Sequence, residues 1–279
     1  MKKVCLEKIV LSVCFAVCLL YGLKQLVRIF LCDSFIIPTE SMEPTLKPGD
    51  RIYVNKTIYG ARIYTDFHFT QEGQKLKAFR TKGLRDLRRN DIVVFNMPNQ
   101  EWQIKFTINY VYCKRCIGLP GDSISIRNGH YVCNNYEGTL GYEPAQNQLA
   151  STPDSLIPAA SLRTFPFDDH LPKWSIKNFG PLYIPKKGDL IALTPKNAAL
   201  NKILIEYELE KPIYIDWKRN TVQAGNKRLT KYRFKHDYYF MAGDNAANSL
   251  DSRYWGLVPD EYIVGVVKKK WEKRTLSDL

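Results

Sequence analysis

Apolar and polar positions divide the chain into two regions with different patterns. Residues 9–31 are mostly apolar, and no charged residue occurs between Ile9 and Leu23. Beyond this segment, short apolar runs are separated by turn-forming residues. A long apolar segment is typical of a membrane-spanning helix, whereas short apolar runs between turns predict β-strands.

The apolar segment 9–31 is long enough to cross a membrane. Its 23 residues would form a helix of about 34 Å, against a bilayer core of about 30 Å. Lys24 and Arg28 are four positions apart, so they share one helix face and can extend towards lipid headgroups. Because lysines precede the span, we expect residues 1–8 in the cytoplasm and the rest of the chain outside it.

A cleaved signal peptide is the alternative interpretation of this segment. Cleavage would require a small-x-small site after the apolar run, and residues 19–22 do not supply one. A lipoprotein signal would require a small residue before Cys14 or Cys18, and valine precedes both. We therefore predict an uncleaved, single-pass anchor at residues 9–31.

Turn signals predict the strands of the remaining chain. Four turns that end in aspartate each precede a β-rich run, at residues 51–54, 92–95, 123–126 and 190–193. Asn128 and Gly129 separate two further apolar runs and predict a β-hairpin. We predict a mainly β protein, with an antiparallel sheet or barrel-like domain at residues 33–133 and 236–279 on the helical anchor.

Residues 134–234 are predicted to form a second, smaller, β-rich α+β lobe inserted into this domain. They are rich in Pro, Asn and Lys and contain no chemical motif. Residues 213–215 predict a strand. Residues 198–210 show the best helical periodicity, but 203–205 could instead form a strand.

The chain has a formal net charge of +13, an excess that suits nucleic acid or an anionic lipid surface. The basic segment 268–274 is a candidate for either contact. A terminal run of charge is usually solvated or, beside a membrane anchor, directed at lipid. We therefore predict a lipid bilayer as partner and no nucleic acid.

The seven cysteines define no metal or redox site. Cys113 and Cys116 have the spacing of half a zinc site, but no second pair follows. On a strand they would point to opposite faces, so we predict packing thiols and leave open one disulfide involving Cys133. No cofactor is predicted.

Ser41 is a candidate nucleophile, although a turn or helix-cap role is commoner for a lone serine. It lies between Pro38 and Pro44, ten residues beyond Leu31. An extended chain of that length keeps it within roughly 33 Å of the end of the span. A serine nucleophile also requires a base.

Lys114 is the candidate base. If residues 106–114 form a strand, one face carries Phe106, Ile108, Tyr110, Tyr112 and finally Lys114. Burial disfavours an ammonium group, so the pKa of Lys114 would fall towards neutrality. The alternative is a strand-end lysine that reaches solvent, and Arg115, on the other face, would be structural.

Four segments resemble those of bacterial type I signal peptidases, which are membrane-bound Ser–Lys proteases that remove signal peptides from exported proteins. The segments are residues 38–46, 89–95, 112–122 and 243–256, in the order of the family. Together with the anchor, the resemblance covers residues 1–133 and 236–267. The first, third and fourth segments are specific.

The resemblance implies catalytic roles. Ser41 would attack the scissile carbonyl, and Lys114 would take its proton and later activate water. The Ser41 N–H and the Thr39 hydroxyl would form the oxyanion hole. Ser249 would hydrogen-bond the Lys114 amine.

The same resemblance implies supporting roles. Asp251 and Arg253 would pair and hold their loop, Asp244 and Asn245 would shape the adjacent turn, and Met42 would line the substrate site. The substrates would be preproteins with small residues one and three positions before the cut. The expected location is the bacterial cytoplasmic membrane, with the catalytic domain on the periplasmic side.

The chain departs from the family pattern at four positions. Ala246 and Ala247 stand where family members often have charged residues, Glu40 replaces a Gly or Ser, and Asn90 replaces a Gly. These changes leave a competing hypothesis, a non-enzymatic, membrane-tethered β protein that binds peptides or anionic surfaces. The presence of Ser41 and Lys114 favours the enzyme.

Overall fold

A computed structural model describes residues 2–66, 75–100 and 103–271 of the chain. The predicted main β domain was extended to residue 279, and its last part, 272–279, lies outside the described residues. The same holds for the final three residues of the basic segment 268–274.

The apolar segment forms a helix, as predicted. Helix α1 (Lys2–Phe30) begins seven residues earlier than the apolar run, at the basic N-terminus. Its stretch Lys8–Phe30 has a mean hydropathy of 2.0 and none of it is buried within the protein. By length and composition this helix can cross a membrane.

The remaining helices are short. They are α2 (Glu143–Ser151), α3 (Ala159–Leu162), α4 (Pro195–Leu200), α5 (Lys202–Leu209) and α6 (Ser252–Trp255). Single 3-10 turns occur at Glu40–Met42, Asp154–Leu156 and Asp260–Tyr262.

Strands make up most of the regular structure beyond α1. They are β1 (Cys32–Ile36), β2 (Arg51–Asn55), β3 (Arg62–Tyr64), β4 (Ala78–Arg80), β5 (Ile92–Asn96), β6 (Asn99–Gln100), β7 (Gln103–Ile104), β8 (Val111–Gly118), β9 (Ser123–Arg127), β10 (His130–Cys133), β11 (Phe179–Tyr183), β12 (Leu190–Ala192), β13 (Ile213–Asp216), β14 (Thr221–Ala224), β15 (Lys227–Leu229), β16 (Lys231–Arg233), β17 (Tyr238–Ala242), β18 (Val258–Pro259) and β19 (Ile263–Trp271).

The main sheet has seven strands in the order β1-β2-β19-β5-β8-β17-β18. Its pairs are all antiparallel, which confirms the predicted mainly β, antiparallel fold. Strand β8 lies between β5 and β17, and its Lys114 is opposite Val93 of β5. The candidate base is therefore held by an interior strand of the sheet.

A smaller sheet joins the two predicted parts of the body. Strands β9 and β10 form the predicted hairpin, with Asn128 and Gly129 at φ values of 46° and 83°, as a tight turn requires. Strand β11, from the predicted inserted region 134–234, pairs with the other side of β9. The division at residue 133 thus passes through a shared sheet, and the two-lobe description stays a prediction.

One local prediction was confirmed and another was wrong. Residues 203–205 lie in helix α5, as the helical periodicity of 198–210 predicted, and Leu204 and Ile205 are buried against the main core. The strand predicted at 106–114 begins only at Val111, because Asn109 adopts a φ of 63° and turns the chain. Since β8 continues to Gly118, Lys114 occupies the middle of the strand and not its exposed end.

The apolar residues form a main core, a smaller cluster beneath residue 41 and a third cluster around Ala246. The smaller cluster consists of Ile37, Met42, Leu46, Ile52, Val54, Val94 and Val264. Cys113 packs against this cluster while Cys116 lies in the main core, so the two thiols face opposite sides as predicted. Cys133 is a buried free thiol in the structure.

A buried carboxylate attaches helix α5 to the sheet. Glu208 is 5% exposed. It accepts hydrogen bonds from the hydroxyls of Tyr232 and Tyr238, both at 2.8 Å, and from the backbone N–H groups of Lys235 and His236 at 2.9 and 3.2 Å. One side chain therefore satisfies four donors on the segment that leads into β17.

We expect Glu208→Ala to lower the free energy of unfolding by about 3–5 kcal/mol, because it leaves buried donors without an acceptor. Lys202→Ala, an exposed truncation on the same helix, should change it by less than about 0.5 kcal/mol. Urea unfolding of the full-length protein in detergent would measure both. Equal stabilities for the two variants would contradict this role of Glu208.

Candidate active site

Ser41 lies in a single helical turn that rests on the smaller apolar cluster. The turn Glu40–Met42 follows Thr39, and Met42 and Leu46, four positions apart, are 1% and 2% exposed. The buried side chains of Met42 and Leu46 hold the backbone of the turn against the cluster, while the Ser41 side chain remains partly accessible. The Met42 side chain is packed into this cluster, and its predicted role in lining the substrate site stays a prediction.

Lys114 reaches Ser41 from the centre of the sheet. Its side chain is almost completely buried, at 2% exposure, and its Nζ donates a hydrogen bond to Ser41 Oγ. The ring centre of Tyr112, the neighbour on the same face of β8, is 5.8 Å from Nζ. The structure therefore brings together the predicted nucleophile and base, which are 73 residues apart in the sequence.

Burial sets the proton affinity of this amine. Desolvation lowers the pKa of Lys114 from its ordinary value of 10.5 to about 8, although the negative charge of Asp251 opposes the shift. A large fraction of the amine is consequently neutral in mildly alkaline solution. A neutral amine that contacts a serine hydroxyl can act as its general base.

The two donors predicted to form the oxyanion hole, the Thr39 hydroxyl and the Ser41 N–H, lie beside the Ser41 hydroxyl, and their role stays a prediction. Thr39 Oγ1 lies 3.3 Å from Ser41 Oγ. The Ser41 N–H belongs to the first turn of a 3-10 helix, where amide groups lack partners within the helix. Both donors are thus adjacent to the atom that would attack a carbonyl.

A buried ion pair holds the loop that packs against the nucleophile. Arg253 Nε and Nη2 each donate to an oxygen of Asp251 at 2.8 Å, and both side chains are at most 1% exposed. Burial alone would raise the pKa of Asp251, but Arg253 and the Gly243 N–H, at 3.0 Å, hold it below its ordinary value. Arg253 also donates to the Ala246 carbonyl at 2.6 Å. The predicted Asp251–Arg253 pair is present, and Arg253 links residues 246 and 251 within the loop at 243–256.

The loop at 243–256 also hydrogen-bonds directly to the turn that carries Ser41. Asn245 donates its backbone N–H to the Ser41 carbonyl at 3.2 Å and its side-chain amide to the Glu40 carbonyl at 3.3 Å. A Cβ at Gly243 would lie 2.3 Å from the Ser41 carbonyl oxygen, so only glycine permits this approach. Asn245 was expected to shape the turn, and the structure adds its two hydrogen bonds to the carbonyls of Glu40 and Ser41, which the sequence did not reveal.

Arg115 and Asp244 form a second ion pair beside the site. The guanidinium donates through Nε and Nη2 to the two carboxylate oxygens at 2.7 and 2.5 Å, and Asp244 is 1% exposed. Arg115 also donates to the Asn90 carbonyl at 3.0 Å. The pair connects the loop to strand β8. The sequence predicted a structural role for Arg115 but did not reveal that Asp244 is its partner.

Ser249 lies beside the nucleophile but does not hydrogen-bond the base. A Cβ at Gly243 would be 2.2 Å from Ser249 Oγ, so this hydroxyl lies close to the Ser41 carbonyl. Within the described part of the chain, Ser249 Oγ has no hydrogen-bond partner, and the predicted bond to Lys114 is not formed. The Lys114 amine is directed at Ser41 in this structure.

The predicted inserted region covers the outer side of this loop. Ala246 is 3% exposed and packs with Leu149, Ile157 and Ile176 of that region. The Phe165 N–H donates to the Arg253 carbonyl at 2.8 Å. A charged residue at position 246 would be buried in this apolar cluster, which explains why alanine occurs there.

Over the ranges that the structure describes, no group of three or more His, Cys, Asp and Glu side chains is arranged to hold a metal ion.

Comparison of the sequence with known families identifies one match over almost the whole chain. Residues 6–271 match the profile of the family described as "Signal peptidase, peptidase S26". The match includes the anchor, the nucleophile turn, strand β8 and the loop at 243–256.

Similar proteins carry the name "Signal peptidase I". One from Buchnera aphidicola subsp. Baizongia pistaciae is 33% identical over 88% of this chain and 71% of its own length. One from Pseudomonas aeruginosa is 30% identical over 90% of this chain and 70% of its own length.

A solved structure of a signal peptidase I from Enterococcus faecalis also matches. It is 17% identical and covers 66% of this chain and 97% of its own, with a TM-score of 0.31. That score is too low to establish a common fold, so the relationship rests on the sequences.

The shifted pKa of Lys114 predicts a measurable effect on stability. Between its folded pKa of about 8 and its ordinary 10.5, the unfolded chain holds the proton more tightly, so stability rises with pH in this window. The rise is at most about 1.4 kcal/mol per pH unit. Below pH 8 the folded protein pays the full cost of burying an ammonium group.

We therefore expect Lys114→Met to be more stable than the parent protein at pH 7, and the difference to shrink as pH rises towards 10. Denaturant unfolding of Ser41→Ala and of Ser41→Ala/Lys114→Met would measure it without self-cleavage. A difference independent of pH between 7 and 10 would show that the pKa of Lys114 is not lowered by folding.

Proposed function

The chain belongs to the peptidase S26 family of signal peptidases, and from this membership we propose that Ser41 is its nucleophile and Lys114 its general base. The protein is a membrane-bound serine endopeptidase that cleaves signal peptides from preproteins. The observation that carries the assignment of residues is the hydrogen bond from the buried Lys114 amine to Ser41 Oγ.

In the proposed first step, neutral Lys114 accepts the proton of Ser41 as Oγ attacks the scissile carbonyl. The oxygen of the tetrahedral intermediate accepts hydrogen bonds from the Ser41 N–H and the Thr39 hydroxyl. The C–N bond then breaks, Lys114 returns the proton to the leaving amine, and the mature protein departs. The signal peptide remains joined to Ser41 through an ester.

In the second step, neutral Lys114 removes a proton from water, which attacks the ester carbonyl. The signal peptide leaves with a new carboxylate and Ser41 recovers its proton. Lys114 acts twice, and a deeply buried amine with a pKa of about 8 suits both steps because it accepts and returns a proton readily.

The loop at 243–256 supports this pair by positioning. Asn245 fixes the carbonyl of Ser41, while the Asp251–Arg253 pair keeps the loop folded around it. The Asp251 charge also limits the fall in the pKa of Lys114. We propose a supporting role for Ser249 when substrate is bound, since its hydroxyl lies beside the nucleophile turn.

We further propose that residues 1–8 lie in the cytoplasm and that α1 spans the bacterial cytoplasmic membrane once. The β body then lies on the periplasmic side with the inserted region 134–234 packed on the loop. The short connection from α1 to Ser41 keeps the nucleophile near the membrane surface, where a signal peptide's cleavage site emerges. The lipid bilayer and signal-peptide-bearing preproteins are the proposed partners.

Removing either member of the pair should abolish cleavage without unfolding the protein. We expect Ser41→Ala and Lys114→Met to lower kcat/KM on a synthetic preprotein by at least about a thousandfold. Ser155→Ala and Lys227→Met, exposed changes of the same kinds, should cleave at the parent rate. Cleavage by either site variant near the parent rate would reject the proposed residues.

A further inference from the structure

A polar cavity lies where the anchor meets the main sheet, apart from the nucleophile. Its volume is about 150 Å³, well below the 300–1,000 Å³ of pockets for larger ligands. Arg28 of α1, Asp33 of β1, Lys56, and Arg62 of β3 supply its charged lining. The cavity therefore suits a small polar group.

The lining carries a surplus of positive charge. Three basic side chains face one acid, Asp33, which accepts from Arg28 Nε at 3.1 Å and from Lys56 Nζ at 3.3 Å. Burial lowers the pKa of Lys56, and Asp33 only partly opposes the effect. An anion in the cavity would compensate the remaining charge.

Hydrogen-bond donors remain available for such an anion. Lys56 Nζ is fixed by the Arg28 carbonyl at 2.8 Å and by Asp33, which leaves one of its three protons. Arg28 uses only Nε, and within the described residues its two terminal amino groups have no hydrogen-bond partner. Arg62, in contrast, is held by the Tyr64 hydroxyl and Asn96 Oδ1 at 2.7 and 2.6 Å.

With α1 across the membrane, as proposed above, the cavity would lie at the depth of the lipid headgroups. The apolar span ends at Phe30, so Arg28 is within one turn of the membrane boundary. Exposed apolar side chains surround this end of the anchor, namely Ile29, Phe30, Leu31 and Ile36, at 43, 41, 49 and 57% exposure. Apolar surface beside a cationic cavity matches the acyl chain and phosphate of one lipid.

We propose that this cavity binds the phosphodiester of an anionic phospholipid from the leaflet on the side of the β body. Arg28 and Lys56 donate to the phosphate oxygens, and Arg62 contributes charge. The Lys56 N–H donates to the Leu31 carbonyl at 2.8 Å, which already joins the end of the helix to the sheet. A lipid bound by both Arg28 and Lys56 strengthens this connection. Binding does not require Ser41 or Lys114, so it can be tested independently of catalysis.

The test is retention of single lipids by the purified full-length protein, measured by native mass spectrometry from detergent. Phosphatidylglycerol should be retained in preference to phosphatidylcholine of the same acyl chains. Lys56→Met and Arg28→Gln should each weaken phosphatidylglycerol retention about fivefold, as expected for one basic group near an anionic lipid. Lys227→Met and Arg219→Gln, which remove the same charges elsewhere, should have no effect.

Parent-level cleavage of a soluble peptide by the two cavity variants would show that they remain folded. Equal retention of both lipids, or parent-level phosphatidylglycerol retention by both Lys56→Met and Arg28→Gln, would overturn the proposal. Retention of inorganic phosphate by the parent protein without any retained phosphatidylglycerol would also overturn it, because the site would then be one for free phosphate.

Discussion

One electrostatic constraint governs the site: the Lys114 amine must be kept from water while it touches a serine hydroxyl. Solvation favours an ammonium group, so an amine enclosed by protein loses its proton at a lower pH than a solvated one. Strand β8 lies between β5 and β17 in the interior of the sheet, which keeps Lys114 away from a sheet edge, and the turn that carries Ser41 contacts its amine. The chain around Ser41 then has to approach the sheet closely.

The loop at 243–256 helps to exclude water from the Lys114 amine and lets the chain around Ser41 approach closely. Its glycine at 243 allows contact with the Ser41 carbonyl, and its buried ion pair replaces solvent around the turn. Removing one partner of such a pair costs more than the pair contributes, so the loop tolerates little change there. The apolar contact at Ala246 adds the inserted region to the same assembly, which links the periphery of the fold to the base.

Local patterns in the sequence predicted the anchor, five strands and the hairpin at Asn128, because each depends on neighbouring residues. The strand at 106–114 was misplaced, since the left-handed turn at Asn109 has no strong signal of its own. The Arg115–Asp244 pair could not be predicted, because it joins residues 129 apart whose strand register is set by the whole sheet. The burial of Met42 likewise depends on residues brought together only by folding.

The pH dependence of kcat/KM for preprotein cleavage by the full-length enzyme in detergent tests the role of Lys114 most directly. If desolvated Lys114 is the base, activity rises with pH along a single limb whose midpoint is near the folded pKa of about 8. A limb centred near 10.4, the value of a solvated lysine, would contradict the account. So would a profile that is flat from pH 6 to 10.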